Sequence, residues 1–203
     1  MGVEGLDGLE APGLAFPALA TVGGDLTVTD DPALTAIDLP KLASVGGGLL
    51  VRSNLVMASL SMPKLASVGA NLSIDSNPAL VDVSLLALVD VGGYLNFQNC
   101  AGLTTLNLPA PLVVSGSFYV QYNAGLSSAT FSGATAVLGD FVVLSNTVLG
   151  SLDLPALETA AGTFLVETNP QLPNCVIVGL RDQLTSPPAA VSIAGNLVDG
   201  CTP

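Results

Sequence analysis

Ser67-Val68-Gly69-Ala70-Asn71-Leu72-Ser73-Ile74-Asp75-Ser76-Asn77-Pro78-Ala79-Leu80 contains a brief alternation, Leu72-x-Ile74, that stops at Ser76-Asn77-Pro78. Alternation ended by Asn-Pro marks a short β-strand running into a turn. The same string returns on both sides of this one. Its polar turn position is Asp31, Asn54, Asn77, Cys100, Asn123, Asn146 and Asn169, each 23 residues from the last, and Asn196 follows after 27. Leu26, Leu49, Leu72, Leu95, Phe118, Phe141 and Phe164 form one apolar column; Val28, Val51, Ile74, Phe97, Val120, Val143 and Val166 form the next. Val191 and Ile193 continue both columns at the later offset. Three columns in step over this many copies identify a repeat architecture.

Each unit holds further short apolar segments, Ile37-x-Leu39 and Leu42-x-x-Val45 in the first full copy. Turn signals separate them: Asp31-Pro32, then Pro40, then Gly46-Gly47-Gly48. No unit has room for a helix of ordinary length. The pattern therefore predicts a coil of three short strands, stacked on the next coil by parallel pairing at about 4.8 Å. About eight coils give a rod on the order of 35–40 Å long. A single coil cannot bury its own apolar side, so stability comes from its neighbours.

The polar column has a physical task. The chain turns inward there and leaves buried backbone groups to satisfy. A carboxamide carries donors and an acceptor, so it serves its own turn and the adjoining coil. The eight positions are read as an amide ladder, with Cys100 as a small buried thiol within it and Asp31 at a wetter end.

Gly-Asp-Leu-Thr-Val-Thr-Asp-Asp-Pro-Ala-Leu at 24–34, and its copy at 70–80, resemble the receptor L domain over roughly residues 14–201. That domain is a short right-handed β-helix related to leucine-rich repeats. It occurs in receptor ectodomains, fungal cell-wall glycoproteins and bacterial surface proteins. The resemblance implies an all-β, right-handed parallel β-helix, and a binding role at a cell surface.

Residues 1–16 read as a degenerate first coil, 17–173 as the regular coils and 174–203 as a C-terminal cap. In the cap Val176, Leu180 and Leu184 are four apart, Asn174 precedes them and Pro187-Pro188 follow. This predicts a short amphipathic helix over 174–186, N-capped by Asn174 and stopped by proline. Cys175 and Cys201 bracket this irregular region while Cys100 lies in the ladder, so a Cys175–Cys201 disulfide is the natural pairing. A disulfide places the chain outside the cytosol. Met1-Gly2 reads as an added start before a mature form, so the lack of a legible secretory signal carries no information about compartment.

Composition limits the chemistry. The formal net charge is −12 with only four Lys and Arg, and half of the residues are hydrophobic. Such a chain is a poor ligand for nucleic acid or an anionic membrane surface. No apolar run is long enough for a transmembrane helix. With no histidine in the sequence, Ser–His and Cys–His catalysis and Cys/His metal sites have no basis. No cofactor is expected. The paired Asp30-Asp31 is read as a solvated turn and not a calcium site, which needs six or more oxygens.

Two outward surfaces remain. Asp38, Ser61, Ser84, Asn107, Thr130 and Asp153, flanked by Ser59, Asp82, Thr105, Ser128 and Ser151, form a strip of small polar side chains. On the other face Tyr119, Tyr122, Val142, Leu144 and Leu165 fall on adjacent coils and make a candidate interaction patch. The favoured reading is a non-enzymatic, extracellular or cell-surface structural, adhesive or protein-binding module. Its partner is another protein or itself, as a dimer or fibre. Ice binding through the polar strip and carbohydrate processing by paired carboxylates are the alternatives.

Overall fold

The computed structural model describes residues 13–201. The chain is an all-β parallel solenoid of about eight turns spaced roughly 23 residues apart, with one short helix near the C-terminus. Three faces run along the stack. The long face is an eight-stranded parallel sheet whose strands include Leu26–Thr29, Leu72–Asp75, Phe118–Gln121 and, last, Ala190–Ala194. A narrow face of two-residue strands forms a seven-stranded sheet from Thr21–Val22 to Thr159–Ala160.

The third face is split. One sheet runs from Gly13–Ala15 to Asp82–Ser84, and a second from Thr105–Asn107 to Ser151–Asp153. The polar strip predicted on this face lies in register within each half: Asp38, Ser61 and Ser84 pair in one, Asn107, Thr130 and Asp153 in the other. The hydrogen-bonded ladder under the strip is interrupted between Asp82–Ser84 and Thr105–Asn107, although these strands remain neighbours.

Register follows the sequence columns. Leu72 pairs with Leu95 and Ile74 with Phe97, and the same alignment holds from Leu26 to Phe164. A one-residue slip would turn every apolar side chain outward, which is why the columns stay in step. Inside, Phe118, Phe141 and Phe164 stack with centroids 5.3 and 5.2 Å apart, and Phe131 meets Phe118 edge-on at 4.9 Å. Offset and edge-on rings of this kind add about 0.5–1.5 kcal/mol per pair beyond burial.

At the glycine corners, coils approach too closely for a side chain. A Cβ on Gly46, Gly69 or Gly92 would overlap the carbonyl of the glycine one coil earlier. Gly69 and Gly92 instead donate their N–H groups to Val45 and Val68 at 2.9 Å. These glycines are structural corners.

The C-terminal helix departs from expectation in two ways. It spans Asn174–Asp182, and its N-cap is Pro173, in extended conformation, with no side-chain cap. Asn174 is instead buried inside the first turn and gives its N–H to the Leu197 carbonyl at 2.9 Å. The helix stops at Gln183 because that side chain turns onto the solenoid and donates to the carbonyls of Leu154 (2.7 Å) and Leu157 (2.9 Å). Thr185 and Ala189 then donate to Glu158 and Gly162, restoring the coil after the insertion. Leu184 thus packs from beyond the helix, not within it.

Of the degenerate first coil, Gly13–Ala15 pairs with Ala36–Asp38, and Leu14 is buried opposite Ile37. Phe16, in the column of the buried Leu39, is 44% exposed. Residues 1–12 lie outside the described residues.

Candidate functional site

The amide ladder is a continuous polar spine in an apolar interior. Asn54, Asn77, Asn123, Asn146 and Asn169 are all fully buried. The side-chain oxygen of each accepts the backbone N–H of the ladder residue one coil earlier: Asp31 to Asn54, Asn54 to Asn77, Cys100 to Asn123, Asn123 to Asn146 and Asn146 to Asn169. Each amide nitrogen donates to a strand carbonyl of the preceding coil, as Asn123 does to Phe97 at 3.0 Å and Asn146 to Val120 at 2.9 Å. Asn196 closes the series by accepting from Asn169 and donating to Val166.

Two members differ. Asp31 serves its own turn, its Oδ1 accepting from the N–H groups of Ala33 and Leu34 at 2.9 and 3.1 Å. Cys100 is a free, buried cysteine whose sulfur lies 3.3 Å from the Gln98 carbonyl. Burial pushes its thiol up to about 11, with hydrogen bonds from Asn77 opposing the shift.

The residue before every ladder position from 31 to 169 has a left-handed backbone: Asp30, Ser53, Ser76, Asn99, Tyr122, Ser145 and Thr168 all have φ between 54° and 58°. None is glycine. Asn and Asp tolerate this region; a bulky side chain such as Tyr122 is unusual there.

A second ladder, invisible in the apolar columns, lines the corner where each long-face strand begins. Asp25 Oδ1 accepts the Gly48 N–H at 2.7 Å, and Asn71 Oδ1 the Tyr94 N–H at 3.0 Å. Ser117 Oγ accepts the Asp140 N–H at 3.0 Å, and Asp140 Oδ1 the Thr163 N–H at 2.7 Å. The 23-residue spacing was legible, but these residue types share no side-chain class beyond being polar.

The candidate interaction residues fall in two settings. Tyr119, Val142 and Leu165 pair in one outward row, and Leu144 lies between Gln121 and Glu167 in the next. All four are half-buried. Tyr122 belongs to the turn, 48% exposed, one residue before Asn123.

At the C-terminal end Cys175 and Cys201 form a disulfide, with Cα atoms 5.1 Å apart. Asp199 places its carboxylate on the Cys175 N–H at 3.1 and 3.2 Å, the anion that a helix N-terminus favours. These three are the one grouping of potential metal ligands among the described residues. The disulfide occupies both sulfurs, and the carboxylate is committed to the helix.

The other end differs. An apolar hollow of about 360 Å³ opens there, lined by Leu14, Phe16, Leu19, Val22, Leu26 and Val28 among others. Among the described residues, the strands Gly13–Ala15, Thr21–Val22 and Leu26–Thr29 each pair on one side only. No helix among the described residues is long and apolar enough to cross a membrane.

No family model, curated protein or solved structure matches this chain.

Proposed function

We propose that the protein is a non-enzymatic, extracellular or cell-surface solenoid that acts as a structural and protein-binding module and associates with copies of itself. The observation that carries this reading is the inequality of its two ends. A helix, a disulfide and a final strand close the C-terminal end. Among the described residues, apolar side chains and one-sided strands face outward at the other. Strand edges left without a neighbour template pairing with another chain. The L-domain resemblance of residues 24–34 and 70–80 supports a surface role, and a disulfide suits an oxidising compartment. The non-enzymatic reading draws support from the carboxylates of Asp25, Asp31, Asp140 and Asp199, each engaged with backbone N–H groups.

Sedimentation velocity over a concentration series, with and without added salt, tests the proposal. The chain carries a formal net charge of −12, so salt screens the repulsion between copies and promotes association. Leu19→Glu and Val22→Glu place charge in the hollow and are expected to shift the assembly to monomer while the melting transition persists. A monomer that stays monomeric at high concentration and high salt would overturn this reading.

A further inference from the structure

The corner ladder has a gap at Gly48. Elsewhere in that column a side chain fills the space between coils, as Asp25, Asn71 and Ser117 do. Gly48 contributes none, and a hollow of about 280 Å³ opens on the long face. Asp25, Thr27, Leu50, Asn71, Ser73 and Tyr94 border it. Its size falls just below the usual range of drug-sized ligand sites, which suits nothing larger than a single sugar ring.

The polar atoms there are held in place by the fold. Asp25 and Asn71 each commit one oxygen to a backbone N–H of the next coil. That leaves Asp25 Oδ2 as an acceptor and Asn71 Nδ2 as a donor. Ser73 Oγ accepts from Asn96 Nδ2 at 3.1 Å, so its own hydrogen is free to be donated. Asn96 is itself more than nine-tenths buried, and its Oδ1 has no hydrogen-bond partner. Asn96 does not itself border the hollow; it holds Ser73 Oγ from behind, which leaves the Ser73 hydrogen to point elsewhere. Tyr94, 38% exposed and edge-on to Tyr119 at 6.4 Å, adds an aromatic wall.

The lining selects by chemistry. An anion would meet Asp25 with no Lys or Arg among the bordering residues. A divalent cation would find a single carboxylate where it needs six or more oxygens. An apolar ligand would strand the polar groups of Asp25, Asn71 and Ser73. A neutral polyol with an apolar C–H face satisfies all of them. We propose that the hollow at Gly48 is a binding site for one hexopyranose unit of a neutral glycan. The site does not depend on self-association; a strictly monomeric protein would bind the same sugar.

Amide shifts of the ¹⁵N-labelled full chain, titrated with hexasaccharides of β-1,3-glucan, β-1,4-glucan, α-mannan and N-acetylglucosamine, provide the test. At least one is expected to give saturable shifts at Thr27, Gly48, Leu50, Asn71, Ser73 and Tyr94, with a dissociation constant on the order of 1 mM. An oligogalacturonate, repelled by Asp25, is expected to give none. Gly48→Ser fills the hollow, and Ser117 shows that the corner accepts serine; its Cβ would lie 3.3 Å from the Asn71 carbonyl oxygen. This variant is expected to keep a cooperative melt, lowered slightly by that close approach, and to bind roughly tenfold more weakly or not at all. Tyr94→Ala is expected to weaken binding as well; if it fails to fold, Gly48→Ser decides. The proposal is overturned by the absence of shifts with every neutral hexasaccharide at about 10 mM. Shifts confined to another face, full binding by Gly48→Ser, or equal binding of oligogalacturonate or of a neutral peptide also overturn it.

Discussion

The backbone N–H of Cys100 donates to Oδ1 of Asn123, one coil further along, at 2.9 Å. Asn123 also donates from its amide nitrogen to the Phe97 carbonyl at 3.0 Å, so one side chain satisfies two buried backbone groups. Asn123→Leu removes both bonds while filling similar space. Each stranded group costs about 1–3 kcal/mol, so the variant is expected to lose roughly 2–6 kcal/mol. Chemical denaturation of parent and variant measures this, and equal midpoints would contradict a buried ladder.

Cys100 is the one ladder position with a sulfur in place of an amide. Cys100→Asn is expected to complete the series by offering an oxygen to the Asn77 N–H and a donor to the Ile74 carbonyl, raising stability by about 1 kcal/mol. A melting temperature below the parent's would show that the space is shaped to the thiol.

The same thiol gives a pH signature. Its folded-state value is raised by burial from 9.0 to about 11. Folding therefore favours the protonated form. The stabilisation is fully present below pH 9.0, declines as the unfolded chain begins to ionise, and is lost as pH rises through about 11. Cys100→Ala should flatten stability against pH in that window. In the folded parent, a thiol reagent at pH 8 should react with Cys100 at a rate limited by unfolding.

Tyr122 holds φ 57°, a conformation that disfavours bulky side chains. Tyr122→Asn is expected to stabilise the turn by about 1 kcal/mol, because Asn adopts this region readily and the ring is half in solvent. A thermal melt with an unchanged or lower midpoint would mean that ring contacts outweigh the backbone strain.

The clamp at the C-terminal end joins residues 26 apart. Reducing it is expected to cost roughly 3–4 kcal/mol by loop-closure entropy. Asp199→Ala, which removes the anion from the helix N-terminus, should cost about 0.5–2 kcal/mol. Hydrogen exchange should show both losses first in Asn174–Asp182, with the central coils protected longest.

Periodicity in one dimension was enough to specify the solenoid. When each coil repeats its neighbour, a residue's partner lies one period away, so Leu72, Leu95 and Phe118 disclose their register without any tertiary information. The amide ladder was legible for the same reason, since Asn recurs where the chain turns inward. The disulfide followed from Cys175 and Cys201 lying outside the repeat. Features set by departures from the repeat were not legible. The N-cap residue Pro173 offers no side-chain acceptor, and Asp199, beyond the insertion, takes that place because the returning tail brings its carboxylate to the Cys175 N–H. The corner ladder mixes Asp, Asn and Ser, which can all accept an N–H although they look unrelated in a column. The hollow at Gly48 exists only through the juxtaposition of an absent side chain with Asn71, Ser73 and Tyr94 on the following coils. Pairing energy depends on which atoms meet across coils, and a missing Cβ leaves a space whose shape is decided entirely by its neighbours.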